Sequence, residues 1–111
     1  MAEKIKLVRN DNRPYIRLTL TSALDDSPVD VSANDTDVNV YFRAVGTTTV
    51  LATIPCSKPN GGADGVVQFN FTGTTLDVPP GQYEGEVEID FAGQKQTMYQ
   101  PLKFVVREEF A

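Results

Sequence analysis

The sequence predicts an all-β fold, a sandwich of seven to eight short antiparallel strands in one domain spanning residues 1–111. Three observations predict it. The run from Tyr83 to Phe91 alternates, with Tyr83, Val87, Ile89 and Phe91 on one face and Glu84, Glu86, Glu88 and Asp90 on the other. A period of two with apolar residues on one side and acids on the other describes a half-buried strand. Turn residues then divide the whole chain into short runs at the spacing of sandwich strands, and no run of useful length carries a helical apolar period. At 111 residues and 41% hydrophobic, the chain has the length and apolar content for one domain with its own core.

Taken in order, Lys4–Val8 reads as a short strand with Ile5 and Leu7 on one side, and Arg9 to Pro14 as a turn. Tyr15 to Thr21 alternates, with Ile16, Leu18 and Leu20 inward. Asp25 to Pro28 turns the chain, and Val29 and Val31 form a brief extended piece. After the loop that begins at Asn34, Asp37 to Ala44 is the second strong strand, with Val38, Val40 and Phe42 inward and Asn39, Tyr41 and Arg43 outward. Gly46-Thr47-Thr48 is a tight connection, and Thr49 to Ile54 is rich in the β-branched residues that favour strands.

Pro55 to Gly65, with its prolines and glycines, reads as a long hairpin loop. Val66 to Thr72 returns as a strand with Val67, Phe69 and Phe71 inward. Gly73 to Pro80 crosses over, with Leu76 and Val78 plugging the end of the core. Pro79-Pro80-Gly81 fixes a corner, because proline sets φ and glycine permits positive φ. The last hairpin follows: Tyr83 to Phe91, a glycine turn, and a run ending Leu102–Arg107. Pro101 has no N–H to give to a ladder and marks an edge or a bulge, which decides the face of Tyr99.

Composition narrows function. Fifteen acids against ten bases give a net charge of −5, which speaks against nucleic acid, whose binders carry a basic stripe, and against anionic membranes. No run reaches membrane-spanning length, and no apolar segment of signal type follows Met1. The lone Cys56 excludes an internal disulfide. The absence of histidine removes the commonest general base and transition-metal ligand. The sequons at Asn34 and Asn70 read as accidental.

Each candidate chemistry has a plainer rival. The acid row Glu84, Glu86, Glu88 and Asp90 supplies carboxylates, but a glycosidase needs two across a cleft, and a solvated strand face with Lys95 and Lys103 as cross-strand partners accounts for the row. The aspartates near Asp25, Asp26, Asp30, Asn34, Asp35 and Asp37 suit calcium chemically, yet match no EF-hand spacing, and turn chemistry explains them. Cys56 has no histidine to activate it. The glycines between Asn60 and Gly65 precede no helix, so they form no phosphate cradle. No catalytic, cofactor or metal residue is expected, and no small-molecule substrate.

Tyr83 is the most specific structural residue. Pro80, Gly81 and Tyr83 form a Gly-x-Tyr corner ahead of a strand, similar to the tyrosine corner of immunoglobulin-like sandwiches. Tyr41, Tyr99 and Phe110 are the candidate partner contacts.

The pattern Val38-x-Val40-x-Phe42-Arg43, Gly46-Thr47-Thr48, Gly65-Val66-Val67-x-Phe69, Leu76-Asp77-Val78-Pro79-Pro80-Gly81-x-Tyr83-x-Gly85-Glu86-Val87 and Pro101-Leu102-Lys103-Phe104-x-Val106-Arg107 resembles small structural proteins of tailed bacteriophages, and among them the N-terminal domain of phage baseplate upper proteins. The similarity covers most of the chain and rests on core and turn residues, so it carries over no functional residue. It implies an immunoglobulin-like sandwich that docks onto other virion proteins, as a homo-oligomer or in many copies, located in the virion and in the host cytoplasm during assembly. The baseplate family continues into helical and receptor-binding parts where this sequence stops at Ala111, which points to a free-standing module of the tail, baseplate, head–tail junction or capsid. The expected docking elements are the strand edges of the terminal runs Lys4–Val8 and Lys103 to Phe110. The rival is a capsid decoration protein or a carbohydrate-binding module on the host surface. Such a module would present an aromatic platform, and this chain has no tryptophan and four tyrosines with which to build one.

Overall fold

The structure, a computed structural model, describes residues 4–110. Its eight strands are β1 (Lys4–Val8), β2 (Ile16–Thr19), β3 (Thr36–Ala44), β4 (Ala52–Pro55), β5 (Val66–Phe69), β6 (Gly81–Phe91), β7 (Gln94–Thr97) and β8 (Leu102–Arg107). The larger sheet runs β1-β8-β6-β3-β4, with β7 also on β6, and β2 and β5 form the smaller one. The inward residues predicted for these strands fill the space between the sheets: Val38, Val40, Phe42, Val67, Phe69, Phe71, Val87 and Ile89 are all buried. This is a β-sandwich, and the split of β2 and β5 from a β8-β6-β3 sheet, with a tyrosine corner opening β6, is the immunoglobulin-like arrangement.

The long pair β3–β6 is the spine. It runs in unbroken register from Thr36 beside Phe91 to Ala44 beside Tyr83. Phe42 sits at its centre. Its ring stacks on Tyr83 at 5.1 Å and meets Phe71 and Phe104 edge-on at 5.2 and 5.6 Å. Offset and edge-to-face contacts of this kind are the favoured aromatic geometries, and here they join both sheets.

Three details depart from the sequence expectation. First, the pairing is antiparallel throughout except for β1, which lies parallel to β8, Lys4 beside Lys103 and Val8 beside Arg107. Strands joined by a hairpin must be antiparallel, but these two are joined by the rest of the chain and are free of that restriction. Second, Pro55 to Gly65 is a crossover. Cys56 still donates its N–H to the Val38 carbonyl at 2.9 Å, while Ser57 already bridges Gln68 beside β5. The chain changes sheet within two residues, and the glycines then return it past β2. At Gly65, with φ +75°, a Cβ would lie 2.7 Å from the Leu20 carbonyl oxygen. Third, the strand expected from Thr49 begins only at Ala52, and Val50 and Leu51 are left exposed.

The last hairpin is broken. Ala92 and Gly93, both at positive φ, make its two-residue turn. β7 pairs Thr97 with Glu88, whereas β8 pairs Leu102 with Gly85. Four residues, Met98 to Pro101, therefore stand opposite two, Glu86 and Val87. This is the bulge foreshadowed by Pro101. The excess is two residues, so the facing parity is restored beyond it, and Tyr99 is thrown outward, 92% exposed.

Candidate functional site

The outer face of the large sheet gathers most of the candidate residues. Cross-strand register places Arg43 beside Glu84, Tyr41 beside Glu86, and Asn39 beside Glu88. Most of the acid row is engaged. The Arg43 guanidinium donates to Glu84 at 2.7 Å. The Tyr41 hydroxyl donates to Glu88 at 2.8 Å, and Lys95 approaches the same carboxylate at 3.5 Å. Asp90 caps the turn by accepting the Gly93 N–H at 2.6 Å. Lys95 thus pairs as expected, but Lys103 does not: it stands opposite Glu84, whose carboxylate is held from the other side by Arg43. Exposed Glu86 has no hydrogen-bonded or ionic partner among the described residues, and it faces the bulge where the pairing of β6 with β7 and β8 is interrupted.

Above Glu86 the bulge walls a groove of about 370 Å³ lined by Tyr41, Arg43, Val50, Glu86, Met98 and Tyr99, among others. Tyr41 is half-buried rather than exposed. Its hydroxyl is held by Glu88, and that hydrogen bond, then burial, raises its pKa. Of the two tyrosines expected as surface contacts, only Tyr99 projects freely. Phe110 lies elsewhere, 96% exposed, its ring under the Arg107 guanidinium at 4.9 Å. Val50 and Met98 were not singled out from the sequence. For Val50 the available signal was the absence of any charged residue between Arg43 and Lys58.

The remaining candidates have structural roles. Tyr83 is buried, and its hydroxyl donates to the Pro79 carbonyl at 2.5 Å, the expected corner with Pro80 and Gly81 at its bend. Burial raises its pKa. Asp25 accepts from the Ser27 hydroxyl and N–H, Asp30 likewise from Ser32, and both are held below the usual carboxylate range by the hydroxyl first and the N–H second. Among the described residues no three His, Cys, Asp or Glu side chains group as metal ligands. Cys56 is half-buried against the core, and burial pushes its thiol up to about 12. At neutral pH it is a protonated thiol and a poor nucleophile. Asn70 donates to the Asn12 carbonyl at 2.8 Å, beside the buried Phe71.

The terminal docking candidates separate. β1 is an edge strand, with β8 on one side and, among the described residues, no strand on the other. β8 is interior, paired with β1 and β6, so it has no free edge to offer. Beyond it, Glu108 pairs with Arg9 at 2.9 Å and Glu109 accepts from Asn10 at 2.8 Å, which folds the tail back on the β1–β2 turn.

No family model matches this chain, and no curated protein matches it. Among solved structures, it is similar to AggA, the major subunit of aggregative adherence fimbriae type I from Escherichia coli, at 13% identity and a TM-score of 0.32, over 91% of this chain and 99% of that one. Likeness of that degree carries no functional inference.

Proposed function

We propose that this chain is a non-enzymatic structural protein of a bacteriophage virion, docked in many copies onto larger virion proteins. The observation that supports it best is a division of labour. Of the residues that resemble the baseplate-protein domain, those from Val38 to Arg43, Gly65 to Phe69, Leu76 to Val87 and Pro101 to Arg107 lie mostly in strands, core or corner, and Gly46-Thr47-Thr48 lies in the exposed connection between β3 and β4. Large apolar side chains outside them, Val50, Tyr99 and Phe110, are left on the surface. Many of the framework's polar groups are spent on itself, as the Glu84, Glu88, Asp25 and Asp30 contacts illustrate. Unpaired strand edges then offer a surface for partners. Quantitative mass spectrometry of purified particles tests the reading: the chain is expected in many copies per particle, and its absence from particles overturns it.

A second reading, glycan binding, is favoured by one observation: Tyr41 and Tyr99 line the same groove as Glu86. A glycan-array signal lost on Tyr99→Ala would support it, and a blank array would remove it.

A further inference from the structure

Charge on this acidic protein is segregated. The segments Lys4 to Arg9 and Leu102 to Arg107 hold Lys4, Lys6, Arg9, Lys103 and Arg107, five of the ten cations, and none of the fifteen acids. Parallel pairing sets β1 and β8 side by side, which gathers these residues along one margin of the sandwich. Ile5 and Leu7 face inward, so Lys4, Lys6 and Val8 alternate along the outer face, in rows with Lys103, Val105 and Arg107. Arg9 is consumed by Asp77 and Glu108, and Lys4 donates to Gln82 at 2.6 Å. Lys6 and Lys103 have no such partner among the described residues. A shallow groove of about 220 Å³ lies between Lys6 and Arg107, over Val8 and Val105. The far side of β1 has no strand beside it among the described residues.

We propose that the free edge of β1 takes up an extended acidic segment of a different protein as an added strand. The proposal rests on the docking reading above and names the surface and the partner's chemistry. Backbone pairing supplies affinity, and alternate side chains supply specificity. The complement of Lys4, Lys6 and Val8 is a strand with two acids and one apolar residue at alternate positions. A second copy of this chain cannot supply it: the alternating acids of β6 lie between β3 and the β7–β8 strands, and Glu108 and Glu109 are tied to Arg9 and Asn10. A polyphosphate is disfavoured because it cannot use the ladder groups, and because the rest of the chain carries all fifteen acids, which repel it at range.

The test titrates the isotope-labelled full chain with a short synthetic threonine-rich peptide carrying two glutamates and one valine at alternate positions, and with its lysine-for-glutamate counterpart. Amide shifts are expected to centre on Lys4–Val8, for the glutamate peptide only and weakening with added salt. Lys4→Glu/Lys6→Glu should lose at least about tenfold in affinity and gain binding of the lysine peptide. Absence of saturable binding, equal binding of both peptides, or shifts centred elsewhere overturn the proposal. So does displacement of the peptide by polyuridylate or phosphatidylserine vesicles, which would make the strip a general polyanion site. Copy number of the parent in particles is measured separately. Particles that contain the chain while the peptide fails to bind remove the β1 edge alone, and particles that lack it remove the docking reading.

Discussion

Tyr83 carries two contributions that substitution separates. Its ring stacks on Phe42 in the core and its hydroxyl closes the corner on the Pro79 carbonyl. Tyr83→Phe keeps the ring and should cost about 1 kcal/mol, the net worth of one hydrogen bond. Tyr83→Ala should cost about 3–5 kcal/mol, as large-to-small aromatic changes in cores do. Urea denaturation measures both, and equal losses would mean that the corner bond and not the ring dominates. Gly85 is a position whose reason the sequence hides. A Cβ there would lie 2.9 Å from Val40 Cγ1 and 3.0 Å from the Phe104 ring, both buried. Gly85→Ala should destabilise by about 1–3 kcal/mol through overpacking, and paired with Val40→Ala it should cost less than the two changes summed. Cys56 gives a pH signature. Its thiol titrates at about 12 in the folded chain against an ordinary value of 9.0, so the folded state holds the proton more tightly. Its contribution is fully present below about pH 9 and is lost as pH rises towards 12. Stability of the parent should fall over that window by more than that of Cys56→Ala, and identical profiles would mean that the thiol is open to water.

Legibility differs from element to element. β3, β5 and β6 were plain in the sequence because one face of each is buried, so apolar residues recur at every second position. β7 was merged with β8, since Gln94–Thr97 is exposed along its whole length and leaves no apolar trace. The bulge was foreseen from one physical fact, that proline lacks an N–H, but its length was not, because two extra residues restore the same alternation. The C-terminal run Lys103 to Phe110 was expected to dock through its strand edge, and the charges at its end prove to be used at home, Glu108 on Arg9 and Glu109 on Asn10. Both contacts are exposed, one an ion pair and the other a hydrogen bond from a neutral amide, and exposed ion pairs contribute about 0–1 kcal/mol. Deleting residues 108–111 should therefore lower stability by no more than about 1 kcal/mol. A larger loss in a thermal melt would show that the tail holds the β1–β2 turn in place.

At the scale of the whole molecule, the sandwich class followed from strand count and patterning, whereas the order of strands did not. Pairing between chain ends is set by tertiary packing, which no local period records, and β1 on β8 is the clearest case. The same pairing makes the N-terminal strand structurally necessary as well as a candidate docking edge. β1 sets Leu7 into the core, packs Ile5 against it, and covers the edge of β8. Deleting residues 1–8 removes these side chains and bares β8, which carries the buried Phe104 and Val106. Loss of one large buried aliphatic costs about 2–5 kcal/mol, a substantial part of the roughly 5–15 kcal/mol that holds a domain folded. The truncated chain should unfold at clearly lower urea and associate through the bared edge, as exposed strand edges do. Lys4→Glu/Lys6→Glu leaves Ile5 and Leu7 in place and should melt close to the parent. That contrast separates the edge as framework from the edge as contact: if the charge reversal is as destabilising as the deletion, the cations are part of the fold and cannot be assigned to a partner.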